Sequence, residues 1–168
     1  MVAGEPIRGS WWAHPKSHAI FRAATSLSDH DDVIAIPLIN SKITFVHRRL
    51  WPALVGVALA REPWQIAGLS PAARALLKRV EREDVQTAGP AARDLERRLL
   101  AVSREIHTDR GAHAKILQSW KRWAKRMQIT PLGDITEARR EIERAAAALG
   151  GQAAVPWSTR PTRLTRPV

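Results

Sequence analysis

The segment from Asp32 to Leu50, DVIAIPLINSKITFVHRRL, contains two apolar runs of strand length separated by Asn40, Ser41 and Lys42. Turn-forming residues between two runs rich in β-branched side chains are typical of a β-hairpin. Pro37 interrupts the first run, and because proline cannot donate a ladder hydrogen bond, it restricts that run to an edge strand or a bulge. The segment therefore predicts an antiparallel hairpin over residues 32–50 that turns at Asn40-Ser41-Lys42.

Helical patterns lie on both sides of this hairpin. The stretch 51–62, WPALVGVALARE, has Pro52 in a first helical turn and is almost entirely apolar, which predicts a central, buried helix. Ser70 before Pro71 is a strong helix start, because serine caps the free amides of the first turn. Further helices are predicted in the stretches 14–27, 89–103, 112–127 and 133–151.

Length and composition predict one folded unit with a flexible segment at each end. The 168 residues suit a single compact domain, predicted over 14–149, with a flexible lead over 1–13. The segment 150–168 has three prolines, three arginines and no acid, which predicts a disordered basic tail. The fold class predicted from these elements is α+β, helix-rich, with a short antiparallel β-hairpin.

The charge predicts an anionic partner. The formal net charge is +11, and residues 101–168 alone carry 13 Lys and Arg against 6 Asp and Glu. Proteins this basic commonly bind nucleic acid, an acidic membrane surface or an acidic protein. The Ala- and Arg-rich composition also fits a bacterial gene of high GC content, which by itself raises the isoelectric point.

The absence of cysteine excludes disulfides, thiolate metal sites and cysteine catalysis. No apolar run reaches the length of a membrane span, and the N-terminus lacks the pattern of a signal peptide. These features predict a cytoplasmic protein that does not enter membranes. No nucleophile elbow, Gly-rich phosphate loop or H-E-x-x-H motif occurs, so no cofactor and no metal are predicted, and a binding protein is favoured over an enzyme.

Two stretches resemble a winged helix-turn-helix. LSPAARALLKRVEREDVQTAG (69–89) is similar to its first helix and connecting strand, and LERRLLAVSREIHTDRGAHAK (95–115) is similar to a recognition helix that runs into a wing. TFVHRRLWPAL (44–54) and HTDRGAHAKILQSW (107–120) also resemble an uncharacterised bacterial family described as winged-helix. The resemblance implies a winged-helix-like part over 69–127. It departs from the family in one respect, because the residues from Pro90 to Val102 leave room for one good helix or two very short ones.

The resemblance implies a DNA-reading surface. Its recognition helix would present Arg93, Arg97, Arg98 and Arg104 to base edges or phosphates, and Arg110 would lie at the wing tip. The alternative is a solvated helix face, because Asp94 and Glu96 alternate with the arginines.

The stretch 112–127 contains five cations and no acid: Lys115, Lys121, Arg122, Lys125 and Arg126. Like charges four residues apart on a helix repel each other, and a phosphate backbone would relieve that repulsion. Trp120 and Trp123 lie on the apolar stripe of the same stretch, so they are predicted to be core residues rather than base-stacking platforms.

Two further polar clusters are candidate sites. The first, GSWWAHPK (9–16), includes Trp11, Trp12, His14 and Lys16. One tryptophan is expected to pack under the next helix and the other to be partly exposed beside His14 and Lys16. The alternative is that both tryptophans have only a packing role. The second cluster is His47, Arg48 and Arg49. Strand alternation places His47 and Arg49 on one face and Arg48 on the other, and a His–Arg pair suits phosphate binding or acid–base chemistry. The alternative is a strand end whose arginines cover an apolar edge.

The leading functional prediction is non-enzymatic binding of nucleic acid, specifically double-stranded DNA, through a basic helical face. One alternative is a DNA-acting enzyme or its accessory, with the His47 and Arg49 cluster, and His14, near the reaction. The other is a protein-interaction module whose high isoelectric point reflects composition alone. The sequence leaves the oligomeric state open.

Overall fold

The computed structural model describes residues 13–107, 113–149 and 154–158. These residues form seven α-helices and five β-strands, and the predicted α+β class is confirmed. In chain order the elements are α1 Ser17–Ser28, β1 Val33–Pro37, β2 Ile43–His47, α2 Trp51–Leu59, α3 Pro63–Ile66, α4 Pro71–Val80, β3 Val85–Gln86, α5 Pro90–Arg97, β4 Val102–His107, β5 His113–Gln118, α6 Trp120–Arg126 and α7 Ile135–Ala147. In the described part of the chain, no helix combines the length and the apolarity that crossing a bilayer requires.

The predicted hairpin is confirmed. β1 and β2 pair in antiparallel register, from Val33 opposite His47 to Pro37 opposite Ile43. The connection is a 3₁₀ turn in which Asn40 has a left-handed φ of 52°, a conformation that asparagine tolerates better than most residues. The buried face of the hairpin contributes Ile34, Ile36 and Val46.

Helix α2 is the centre of the larger of two hydrophobic cores. Seven of its nine residues are buried, as the apolar sequence predicts, and the Trp51 indole Nε1 donates to the Val46 carbonyl at 3.0 Å. Gly56 allows close approach of the segment before α7, because a Cβ there would lie 2.4 Å from the Leu132 carbonyl oxygen. This larger core also receives the hairpin, α6 and α7, which supply Trp120, Trp123, Ala138, Ile142 and Ala146 among others.

The smaller core lies between α4, α5 and the three-stranded sheet. Helix α4 begins as predicted, with the Ser70 Oγ accepting a hydrogen bond from the Ala73 amide at 3.1 Å. Its buried face meets α5 and the inner face of the sheet, and the cluster contains Leu69, Ala73, Leu76, Val80, Val85, Ala92, Leu95, Leu100, Ala101 and Leu117.

The strands of this sheet stand in the order β3-β5-β4, with α4 before β3 and α5 between β3 and β4. β5 pairs antiparallel with both neighbours. In the described residues a single helix separates β3 from β4. The winged-helix resemblance stays a prediction.

The prediction of one helix over 112–127 is wrong in its first half. Residues 113–118 form β5, the middle strand of the sheet, and the helix starts only at Trp120 after the Ser119 cap. Hydrogen bonding to strands on both sides outweighs the helical spacing of the apolar residues, a tertiary effect that local patterns do not contain.

The helix predicted over 89–103 is also too long. α5 ends at Arg97, and Leu99 adopts a left-handed φ of 52° although it is fully buried. This turn places Leu99 in the larger core and Leu100 in the smaller one. The chain then continues as β4, so this short segment joins the two cores.

Part of the predicted disordered tail is packed. The Ala154 carbonyl accepts a hydrogen bond from the Asn40 amide at 2.8 Å, and Val155 is only 2% exposed in the larger core. Trp157 Nε1 donates to Glu143 on α7 at 2.6 Å. The apolar anchors Val155 and Trp157 explain the difference from the prediction for 154–158. The rest of the predicted tail and residues 1–12 lie outside the described residues.

Candidate nucleic-acid interface

Helix α6 turns one side to the core and presents cations on the other. The Ser119 Oγ accepts a hydrogen bond from the Arg122 amide at 3.3 Å, which starts the helix. Trp120 and Trp123 are buried, as predicted, and their rings meet edge to face with centroids 5.4 Å apart. Because no acidic residue occurs from His113 to Arg126, the remaining surface of α6 is purely basic.

The four cations of α6 divide into two pairs. Arg122 donates through Nε to Asp84 Oδ1 at 2.9 Å and through Nη2 to the Val80 carbonyl. Arg126 Nη1 donates to Gln118 Oε1 at 2.8 Å. Lys121 and Lys125 are exposed, and no carboxylate of the described residues forms an ion pair with either. The two lysines are therefore open to an external anionic partner.

The three-stranded sheet separates Arg104 from Lys115. Lys115 and Leu117 belong to the inner face, and the Lys115 Nζ lies 3.1 Å from Oε1 of the buried Glu96 on α5. Arg104 pairs with Ile116 on the outer face and is exposed. Lys115 thus neutralises an internal carboxylate, whereas Arg104 remains at the surface.

Arg104 and α6 share one side of the sheet. Gln118 accepts the hydrogen bond from Arg126 and pairs with Val102 of β4. Val102 and Arg104 are two residues apart in this strand, so their side chains lie on the same face of the sheet. We define the α6 surface as Lys121, Lys125 and Arg126 of helix α6 together with Arg104 on the outer face of the sheet.

The arginines of α5 lie on the opposite side of the sheet. Ala92, Leu95 and Glu96 face the sheet, so the exposed Arg93 and Arg97 point away from it. The predicted nucleic-acid residues therefore do not form a single face.

Arg98 is bound to other parts of the protein. Its Nε donates to Asp94 at 2.7 Å. Its Nη1 donates to three carbonyl oxygens in and after α3, those of Trp64 at 3.1 Å, Gln65 at 3.4 Å and Ala67 at 2.8 Å. This network connects α5 to α3 and uses the donors that base recognition would need.

Arg110, Trp11 and Trp12 lie outside the described residues. At the start of α1, the Lys16 amide donates to His14 Nδ1 at 3.0 Å. No hydrogen bond or ion pair within the described residues links His14 or Lys16 to the cluster at the end of β2.

His47 and Arg49 share a cavity of about 170 Å³ between the hairpin, α2 and α7. His47 Nδ1 accepts a hydrogen bond from the Arg49 amide at 3.2 Å, whereas Arg48 turns to Asp32, 3.5 Å away, and lies over the Trp51 ring. Arg48 therefore points away from His47 and Arg49, as predicted. The cause is a 3₁₀ turn over Arg48–Leu50 rather than strand alternation.

No family model matches this chain, and no curated protein or solved structure matches it either.

Proposed function

We propose that this protein binds nucleic acid, specifically duplex DNA, through the α6 surface. The observation that carries the proposal is the acid-free helix α6, on which Lys121 and Lys125 are exposed one turn apart without a carboxylate partner in the described chain. Such a like-charged pair destabilises a helix by about 0.2–0.5 kcal/mol. A phosphate backbone would offset that repulsion.

Duplex DNA fits this surface better than single strands. Proteins that bind single strands without sequence preference stack bases on exposed aromatic rings. The aromatic residues of α6 are buried, at 2% exposure for Trp120 and 5% for Trp123, so the helix offers charge without a stacking platform. Contacts to phosphates position a duplex and are largely independent of its sequence.

The test is fluorescence anisotropy with labelled duplex and single-stranded probes over a range of salt concentrations. Binding should weaken steeply as salt rises, because each neutralised phosphate releases condensed counterions. The double variant Lys121→Gln/Lys125→Gln should lower the affinity for all duplex sequences. It should also flatten the slope of log K against log salt by about one unit per lost phosphate contact.

The matched control is Arg93→Gln/Arg97→Gln. It removes the same two charges at the same spacing from a helix on the other side of the sheet, so its affinity should stay close to that of the wild type. If the control variant loses more affinity than the α6 variant, the assignment of the surface is wrong. If the wild type shows no binding at low salt, the proposal fails, and a partner protein or composition alone has to account for the charge.

The cavity beside His47 and Arg49 supports a second candidate, a DNA-acting enzyme or its accessory. An imidazole and a guanidinium at one cavity suit acid–base chemistry next to a phosphate. In that case the wild type should convert a labelled duplex, and His47→Ala should abolish conversion while leaving the anisotropy unchanged. Unaltered DNA after prolonged incubation with the wild type would eliminate this candidate.

A further inference from the structure

A second cavity, of about 290 Å³, lies where the two cores meet. Its apolar wall is formed by Ala58 and Leu59 at the end of α2 and by Leu100 before β4. Its polar lining comes from the segment after α2, the end of α4 and the start of α6, through Arg61, Glu81, Ser119, Trp120 and Lys121. We refer to this space as the Arg61 cavity.

One lining residue has an unused hydrogen-bond donor. Trp120 is 2% exposed, and its Nε1–H finds no acceptor in the described part of the chain. Buried polar groups in folded proteins nearly always have a partner, so an exception calls for a specific explanation. An acceptor that enters the Arg61 cavity would provide one.

The charges of the cavity favour an anion. Arg61 Nη2 lies 2.8 Å from Glu81 Oε1, which engages one of the five N–H donors that a guanidinium carries. Lys121 has no ion-pair partner among the described residues. Two cations therefore accompany a single carboxylate, and the donors outnumber the acceptors. A ligand rich in acceptor atoms and negative charge complements this lining.

The backbone turns sharply at Arg61, directly after helix α2. Arg61 has a φ of 54°, the left-handed conformation with which many helices end. Leu99 and Gln128 take the same conformation directly after the C-caps of α5 and α6. The turn ends α2 at the Arg61 cavity, whose lining includes Arg61.

We propose that the Arg61 cavity binds a phosphate monoester. The phosphoryl oxygens would accept hydrogen bonds from Trp120 Nε1, Arg61 and Lys121, and the carbon part of the ester would pack against the apolar wall. The same group can belong to a small molecule or to the 5′-terminal phosphate of a nucleic acid. The inference does not rest on DNA binding by the α6 surface, because a small monoester tests it directly.

The experiment follows the indole N–H signals of the ¹⁵N-labelled full chain by NMR during titration with inorganic phosphate and then with phenyl phosphate. The Trp120 signal is identified by its loss in Trp120→Phe, which keeps an aromatic ring in the core. Saturable movement of the Trp120 signal with either phosphate is the expected result, and sodium chloride at equal ionic strength should not reproduce it.

Two variants separate the site from general charge effects. Arg61→Gly suits the left-handed backbone and removes the guanidinium, so it should keep the fold and weaken phenyl phosphate binding at least tenfold. Arg97→Gln, on the other side of the sheet, should bind as the wild type does. A Trp120 signal that stays in place, or moves without saturating, overturns the proposal, as does unchanged affinity in Arg61→Gly.

A competition experiment identifies the source of the phosphate. If a 5′-phosphorylated duplex displaces phenyl phosphate and the unphosphorylated duplex does not, the cavity takes the end of a nucleic acid. If neither duplex displaces it, the ligand is a small monoester. Both results retain the phosphate site. Because Lys121 belongs to both the Arg61 cavity and the α6 surface, equal displacement by the two duplexes would report competition at Lys121 and would exclude recognition of the 5′-phosphate.

Discussion

Lys115 is expected to matter for stability more than for DNA binding, because its ammonium group neutralises the buried Glu96 carboxylate. Lys115→Met keeps the length of the side chain and leaves that carboxylate with the Ser103 hydroxyl as its remaining partner in the described chain. We expect the free energy of unfolding to fall by about 1–3 kcal/mol, the range for an unsatisfied buried group, reduced by the partial exposure of Lys115. Urea denaturation measures this change.

Lys125→Met is the control at this scale. It also removes one lysine charge, but from an exposed position on α6, where substitutions usually change stability by less than about 0.5 kcal/mol. DNA affinity should show the reverse order, with the larger loss in Lys125→Met. Equal stability of the two variants would contradict the structural role given to Lys115.

Single residues show where sequence reasoning stops. The basic character of 115–126 is plain from composition, but Lys115, Arg122 and Arg126 have partners that are distant in sequence or lie in another element. Arg122, for example, meets Asp84, which is 38 positions away. No local pattern contains that pairing, so the sequence predicted five equivalent cations where the fold leaves Lys121 and Lys125 without a partner among the described residues.

At the scale of elements, Gly56 fixes the distance between α2 and the segment that leads into α7. Gly56→Ala would place a Cβ 2.4 Å from the Leu132 carbonyl oxygen, so the two backbones would have to separate. We expect a loss of about 1–3 kcal/mol in the free energy of unfolding, as for other overpacked sites. Thermal and urea denaturation measure the loss.

Gly133→Ala, one residue beyond Leu132, provides the matched control. A Cβ at Gly133 meets nothing within 4 Å. The free energy of unfolding should therefore stay unchanged or rise by up to about 1 kcal/mol, because alanine makes the unfolded chain less flexible. If Gly56→Ala were equally well tolerated, the close approach of the two backbones would not be a tight constraint.

Elements with strong local signals were predictable. The hairpin follows from its turn residues, α4 from Ser70 and Pro71, and α2 from its continuous apolar sequence. The boundary between β5 and α6 was missed because a strand paired on both sides depends on partners elsewhere in the chain. The end of α5 was missed because a buried leucine at φ 52° contradicts its own propensity.

At the scale of the whole molecule, the two cores are expected to unfold together. Leu99 and Val102 belong to the larger core, and Leu100 and Ala101 between them belong to the smaller one. Leu95→Ala in the smaller core should lower the free energy of unfolding by about 2–5 kcal/mol. The tryptophans in the described chain lie in or against the larger core, so their fluorescence reports on that core.

If the cores are coupled, the fluorescence midpoint of Leu95→Ala in urea falls by as much as the midpoint of far-ultraviolet circular dichroism. Coincident transitions are the expected result for a cooperative unit. Leu149→Ala, at an exposed position, should leave both midpoints in place. A fluorescence midpoint that stays at the wild-type value would show that the cores unfold independently.

The Arg61 cavity belongs to this scale as well, and the sequence does not predict it. Its lining comes from four separate stretches between Ala58 and Lys121, and the two cavity residues that form an ion pair, Arg61 and Glu81, are 20 positions apart. Only the meeting of the two cores brings these residues together.

The packing of Val155 has a consequence for how the protein is made. Ala154 bonds to Asn40, 114 positions earlier, and Val155 joins a core whose hairpin and helix α2 are synthesised well before it. Domains tend to fold as units during synthesis, and contacts between distant positions form slowly. The nascent hairpin and α2 are therefore expected to expose apolar surface until α7 and Val155 have been synthesised.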